Sequence, residues 1–276
     1  MKTSWISIAG AVLLGLTVAT PQLHAEIYNE DAEEAVARVA PGLKRDLAKQ
    51  NLEYGAPIFV RILKQERRLE LWVQNADQRY QHFRNYQICK MSGTLGPKQR
   101  EGDDQAPEGF YSTDADWMWP YSDFHLAFNI RYPNAYDESL KRTGSAIMVH
   151  GGCSSSGCFA MTDDKIEEIY AMAGAALTSG QNTIHVHVFP FEMSDKNLAR
   201  HATSRWAGFW ANLKQGYDYF ETYRSLPEVQ VADGSYVFSD PQPAEPTLAE
   251  ADANVIGIQA ATLPLPEDVP GSVQIK

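Results

Sequence analysis

The chain has 276 residues, 24 of them basic and 35 acidic, for a formal net charge of −11. A hydrophobic content of 44% with 21% charged residues excludes a mainly disordered chain, a collagen and a multi-pass membrane protein. The acidic balance argues against a general nucleic-acid binder, which needs a basic footprint. Three cysteines are too few for a disulfide-dense scaffold, and an odd count leaves at least one thiol free or intermolecular.

Residues 1–25 read as a secretory signal peptide: Lys2 supplies a positive start, Ile6 to Ala19 is apolar, and Leu23-His24-Ala25 resembles a cleavage site. The apolar run is short for a membrane span, and no later stretch could serve as one. The mature product is expected in the periplasm, where disulfides are allowed. Residues 26–56 read as an N-terminal helical segment, with two short helices broken at Pro41-Gly42.

From Pro57 the pattern turns to strands. PIFVRIL is β-rich, and Leu69, Leu71 and Val73 alternate with Glu70, Trp72 and Gln74. A turn at Asn75-Ala76-Asp77 leads into a second hairpin strand, RYQHFRNYQICK. Residues 91–109 form a long Gly/Pro/charged loop, a kind that is often functional. Further strands are expected from Gly109, over Ala146 to His150, and over 183–191.

One helix stands between the last two. Asp163 to Leu177 puts Ile166, Ile169, Tyr170 and Ala173 on one face, with Thr162 or Asp164 able to cap it, Glu167 completing a capping box, and Gly180 suiting its end. Trp206, Phe209, Trp210 and Leu213 mark helix in a C-terminal helical segment, 192–240. Residues 241–276 hold six prolines and no aromatic residue, and are expected to be a disordered tail. The fold class is α+β, mainly β, with one central helix and helical flanks.

The chemistry concentrates at Val149-His150-Gly151-Gly152-Cys153-Ser154-Ser155-Ser156-Gly157-Cys158. A strand ends at a histidine, a loop of small residues follows, and a cysteine stands just before the helix. An imidazole near a thiol can take its proton and leave a reactive thiolate. The small residues let backbone N–H groups converge on one point, as an oxyanion hole requires.

HGG…SSSGCFAM resembles the active-site motif of the YkuD-domain L,D-transpeptidases, in which a His-Gly precedes a Ser/Thr-His-Gly-Cys element. Ala106-Pro107-Glu108-Gly109-Phe110 is similar to that family's Thr-Pro-x-Gly-x-Phe strand. The resemblance spans residues 57–191, which it marks as the catalytic domain. It implies Cys158 as nucleophile, His150 as proton donor and acceptor, and Gly157, Ser156 and Gly151 as the oxyanion and site loop. It also implies peptidoglycan stem peptides as substrate, and no metal or organic cofactor.

Ser156 stands where the family usually has His, Ala160 replaces a polar residue, and the His-to-Cys spacing is short. With CKMSGTLGPKQREGDDQAPEGFY and FNIRYPNAYD, these features resemble the YafK-like branch. That branch includes an enzyme cutting the amide between diaminopimelate and a bound lipoprotein's lysine, so hydrolysis is expected ahead of cross-link synthesis.

Other residues carry weaker signals. Arg131, Tyr132 and Asn134 form a polar, aromatic loop suited to stem-peptide carboxylates, or to ordinary turn chemistry around Pro133. A structural disulfide between Cys89 and Cys153 would leave Cys158 free; it rests on compartment and count only. His185 and His187 share a strand face, where packing is expected ahead of metal binding. EGDDQ at 101–105 reads as a solvated loop, and the aromatic set from Trp206 to Tyr223 as helix packing rather than sugar stacking. Two rival readings remain: a thiol-disulfide protein using Cys153 and Cys158, and a non-catalytic wall-binding module.

Overall fold

The computed structural model describes residues 27–241, so the expected signal peptide and all of the expected tail but Pro241 lie outside the described residues. The chain separates into a compact unit ending at Ser239 and a remainder, Asp240–Lys276. In chain order the first unit contains α1 (Glu30–Ala48), β1 (Ile58–Leu63), β2 (Arg68–Gln74), β3 (Tyr80–Gln87) and β4 (Lys90–Met91). There follow β5 (Gly109–Thr113), a 3₁₀ turn at Ala115–Trp117, β6 (Met118–Ser122), β7 (His125–Asn129), α2 (Ala135–Ser139), β8 (Met148–His150) and β9 (Phe159–Ala160). The chain closes with α3 (Asp163–Thr178), β10 (Ile184–Phe189), α4 (Asp195–Arg200), α5 (Ala207–Tyr223), β11 (Glu228–Ala232) and β12 (Ser235–Ser239). This is the expected α+β class, mostly sheet with a few helices.

Two five-stranded sheets organise it. The first has the order β3-β2-β1-β10-β5 and the second β4-β9-β8-β7-β6. One face of the first sheet presents Val60, Ile62, Leu71, Tyr111, Val186 and Val188 to a common core with Phe128, Val149 and Phe159 of the second sheet and Ile166, Ile169 and Tyr170 of α3. The opposite face of the first sheet is covered by α5 through Tyr217 and Phe220. Both faces are therefore buried, which is why Glu70 and Trp72 of β2 are buried along with Leu69 and Leu71. Glu70 is tolerated there because Arg61 and Arg68 both pair with it.

Three expectations are corrected. Residues 30–48 form one helix with Pro41 inside it, not two broken at Pro41-Gly42. Proline removes the N–H that would bond to the Ala37 carbonyl, but Ala37 and Pro41 both lie on the exposed face, so water can donate to that carbonyl instead. Ala32, Ala35, Leu43 and Leu47 are buried on either side of the proline, which keeps both halves in line. The capping box proposed for α3 is absent: Thr162 is the N-cap with no side-chain cap bond, its hydroxyl engaging Asp164 instead. Glu167 bonds to Arg38 and His125, tying α1 and β7 to α3.

The C-terminal segment expected to be helical also contains the β11–β12 hairpin. Asp233-Gly234, both at positive φ, turns it, and Tyr236 packs on Phe110. An Asp-Gly pair between alternating apolar residues is a hairpin signal that the sequence carried.

Candidate active site

The second sheet carries the site. In its register Ala127 pairs with His150 and His150 with Ala160, so the three share one face. The neighbouring row, Phe128, Val149 and Phe159, points into the core. Cys158 stands directly ahead of β9, and its thiol meets the Met148 N–H at the start of β8, the strand that ends at His150.

The His150 ring is buried, and its Nδ1 lies 2.6 Å from the Gly151 carbonyl oxygen. A carbonyl only accepts, so Nδ1 carries the proton and donates it. Nε2 is then the ring atom with a free lone pair, the form a general base needs. Burial pushes the His150 pKa below its ordinary value of 6.5, against the raising effect of the Gly151 bond. The Phe124 ring lies 4.8 Å from the imidazole and helps to shield it.

Cys158 is the unpaired cysteine. Its Sγ accepts from the Met148 N–H at 3.4 Å and donates to the Ala146 carbonyl at 3.5 Å. Burial raises the thiol's pKa above 9.0, while the Met148 N–H and the nearby Lys98 ammonium oppose that shift. The pair thus rests as neutral thiol and neutral imidazole rather than as a preformed ion pair. Such an arrangement can deprotonate the thiol during attack, with His150 Nε2 as the acceptor.

Several anchors shape the loop between the two residues. Cys89 and Cys153 form a disulfide across 64 positions, which ties the loop to the chain just before β4. Cys153 N–H donates to Met161 O, and Gly152 N–H donates to Asp163 Oδ1. Gly151 sits so close to its neighbours that a Cβ there would meet Asp163 Oδ1 at 2.6 Å and Phe124 O at 2.8 Å. Gly157 has φ +124°, a conformation side chains rarely adopt. Its N–H donates weakly to Ser155 Oγ, and Ser155 donates in turn to Cys158 O. Ser156 is exposed.

Of the three expected substrate contacts, one presents its polar end outward. Arg131 is exposed, pairs with Asp114 at 2.8 Å and lies over Trp117. Tyr132 is buried and donates to Lys98 O. Asn134 caps α2 while its Nδ2 donates to Phe110 O and Tyr236 Oη, so its polar atoms are already in use. Arg131, Asn129, Trp117 and Ala146 line one cavity of about 460 Å³. The carbonyl of Ala146, one of these lining residues, also accepts from the Cys158 thiol.

The long loop over 91–109 proves highly constrained. Lys64, fully buried, donates to Gly96 O, Ala106 O and Glu108 Oε1, and Glu108 accepts from Gly96 N–H and Trp210 Nε1. Asp103 of the EGDDQ stretch accepts from Lys98 and from the N–H groups of Gln99, Arg100 and Gln105, so it organises the turn. Sequence reading passed over Lys98; a lysine in a charged loop carries no signal that burial awaits it. His187 packs among Phe59 and Phe110 on the α5 side of the first sheet, away from the thiol's face. Among the described residues, no three His, Cys, Asp or Glu side chains gather to hold a metal ion, and no helix is long and apolar enough to cross a membrane.

Comparison with known proteins fits this geometry. Residues 58–187 match the YkuD family, the L,D-transpeptidase catalytic domain. Over 193 residues, 70% of this chain and 78% of the relative, the sequence is 47% identical to the "Putative L,D-transpeptidase YafK" of Escherichia coli strain K12. The chain belongs to the YkuD L,D-transpeptidase family. The O157:H7 strain of E. coli has a relative of the same name at the same identity. Among solved structures, the helical cell shape determining protein Pgp2 of Campylobacter jejuni aligns at 20% identity and TM-score 0.40, covering 69% of this chain and 64% of that one. Bdellovibrio bacteriovorus Bd1075 aligns at 23% identity and TM-score 0.37, covering 59% of this chain and 60% of that one. This chain therefore spans less than two thirds of either of those two proteins. YkuD membership assigns it to enzymes of the L,D-transpeptidase kind, with a role in peptidoglycan.

Proposed function

We propose that the protein is a periplasmic cysteine acyl-transfer enzyme acting on peptidoglycan stem peptides, with Cys158 as nucleophile and His150 as base and acid. The observation that carries this reading is the unpaired Cys158 thiol held by the Met148 N–H, two residues before a histidine whose proton sits on Nδ1. Within it, residues 57–191 are the catalytic domain and 1–25 the export signal.

The steps follow from that pair. As Cys158 Sγ attacks the carbonyl at the L-centre of diaminopimelate, its proton passes to His150 Nε2. The carbonyl oxygen becomes an oxyanion, for which the Gly157 and Cys158 N–H groups are the proposed donors; Gly157 would exchange its weak bond to Ser155 for that stronger one. His150 then protonates the leaving amine, the amide bond breaks, and a thioester remains. Water, deprotonated by His150, attacks the thioester, releasing a carboxylate and restoring the thiol. The leaving amine is proposed to be a lysine side chain of a covalently bound lipoprotein.

Hydrolysis is favoured by the departures at Ser156 and Ala160. A second reading, genuine transpeptidation with an amine in place of water, is favoured by the family's own description. The test is a digest of wall carrying covalently bound lipoprotein, with the mature protein beside Cys158→Ala, followed by mass spectrometry. Lipoprotein released with an intact C-terminal lysine, and none released by the variant, supports the hydrolase. New diaminopimelate–diaminopimelate bridges or exchanged terminal D-amino acids support the transpeptidase. Equal products from both proteins would refute cysteine catalysis.

A further inference from the structure

Among the described residues, seven large hydrophobic side chains are exposed, and four of them lie within eight positions. These are Trp117, Trp119, Tyr121 and Phe124, at 43%, 50%, 68% and 45% exposure. Trp117 ends the 3₁₀ turn, Trp119 and Tyr121 lie on β6, the edge strand of the second sheet, and Phe124 lies in its turn into β7. Solvent-facing aromatics at this density on one edge are a recognition feature rather than a packing residue of the core.

The strip is continuous with the catalytic face. Trp119 pairs with Ala127, and Ala127 with His150, so Trp119 lies in the row of His150, two strand spacings or about 10 Å away. Phe124 rests on the His150 ring, and Trp117 lines a cavity with Ala146, whose carbonyl accepts from the Cys158 thiol. An occupant of the strip is therefore directed toward the sulfur.

Charge narrows what that occupant is. Asp114, Asp116 and Asp123 lie within this stretch, Asp116 and Asp123 exposed, while Arg131 is already paired with Asp114 and Arg38, which lines a cavity with Tyr121, with Glu167. An acidic rim repels an anionic lipid surface. It also gives free carboxylates little to bind. A neutral sugar chain fits both features: the C–H faces of its rings stack on indole and phenol, and its hydroxyls donate to the carboxylates.

We infer that β6 and its turn form a glycan-binding platform that seats the sugar backbone of peptidoglycan while a stem peptide enters the Cys158–His150 cleft; this rests on the reading of the site proposed above. The distances agree. Trp119 and Cys158 are three strand spacings apart laterally and two residues apart along the strands, about 16 Å in all. Diaminopimelate is the third residue of a stem, and three extended residues reach about 10–11 Å; the lactyl link and the reach of an indole cover the rest.

The test uses the full chain with Trp119→Ala and with Trp119→Ala/Tyr121→Ala, whose exposed side chains can be removed without opening the core. The probe is a neutral N-acetylglucosamine oligosaccharide, which keeps the sugar faces of the backbone without the free lactyl carboxylates of peptide-stripped strands, with binding followed by intrinsic tryptophan fluorescence and by pull-down. The expected result is binding by the parent, weakened about tenfold in the double variant. A second readout compares turnover of a sugar-free stem peptide carrying the diaminopimelate–lysine amide with that of the same peptide on its disaccharide. The variants should lose about tenfold in kcat/KM on the disaccharide substrate alone. No glycan binding by the parent, or equal losses on both substrates, overturns the platform. A change in the parent's oligomeric state on substitution, with glycan binding intact, would make the strip a self-association surface and also overturn it. Because glycan binding is read without turnover, a protein that binds glycan but cleaves neither substrate would refute the catalytic reading and leave the platform standing.

Discussion

Replacing both Cys89 and Cys153 by alanine should lower stability by about 3–4 kcal/mol. The disulfide closes a loop across 64 positions. Loop-closure entropy for a loop of that length amounts to about 4 kcal/mol at 25 °C. Against this, Cys153 sits at φ +46°, a left-handed conformation costing roughly 1 kcal/mol that the freed loop can relax. At about 2–4 °C per kcal/mol for a domain of this size, the thermal midpoint should fall by roughly 6–16 °C. The assay is far-UV circular dichroism melting of the double variant against the parent, with and without reductant. The parent in reductant should melt near the variant, and the variant should not respond to reductant. Activity should fall less than stability, because Gly152 and Cys153 remain hung from Asp163 and Met161 by their N–H groups. A shift under 3 °C, or a parent insensitive to reductant, would refute the reasoning. The double substitution is necessary, since a single one leaves a second free thiol beside Cys158's to react in the alkylation and redox assays.

Further outcomes follow from the site and its supports. Burial holds His150 below 6.5 and Cys158 above 9.0, so Cys158 alkylation by iodoacetamide should rise with pH through a midpoint above 9. Turnover should fall on the acid side only below pH 6.5, where His150 protonates and can no longer act as base. An alkylation midpoint near pH 6 would mean a preformed thiolate–imidazolium pair instead. Lys64→Met should cost about 3–5 kcal/mol in urea unfolding, because Glu108 would keep its buried charge without its partner; Lys64→Met with Glu108→Gln should recover part of that loss. Gly157→Ala should cut kcat/KM at least tenfold, since φ +124° strains an L-residue by about 1–3 kcal/mol and the new Cβ would press on Ile147 at 3.3 Å beside the nucleophile. Unchanged turnover in that variant would remove the Gly157 backbone from the mechanism.

Local pattern was enough for the strands with strong β character, 58–63, 68–74 and 184–189, and for helix α3, because hydrophobic period reports which side of an element is buried. The His150–Cys158 stretch was also legible, since few arrangements place a histidine, a run of small residues and a cysteine between a strand and a helix. Pattern failed at Pro41, where burial on both sides of the proline outweighed its helix-breaking tendency. It failed again at Glu167, which looked like part of a capping box yet holds Arg38 and His125, partners 129 and 42 positions away. Strands β6 and β7 were not read from MWPYS and HLAFN, whose pairing depends on β8 lying alongside.

What the amino-acid order determined by itself was the chemistry available: one histidine and two cysteines bracketing a loop of small residues, in a chain of mixed strands and helices. Which cysteine is free was a matter for tertiary structure, because pairing requires Cα atoms within reach, and Cys89 and Cys153 lie 5.4 Å apart. So was the base's tautomer, decided by a carbonyl at its Nδ1, and the burial that keeps thiol and imidazole neutral at rest. Sequence lists the groups that can react; only packing sets their distances and their exposure to water, and those two quantities govern where a proton sits.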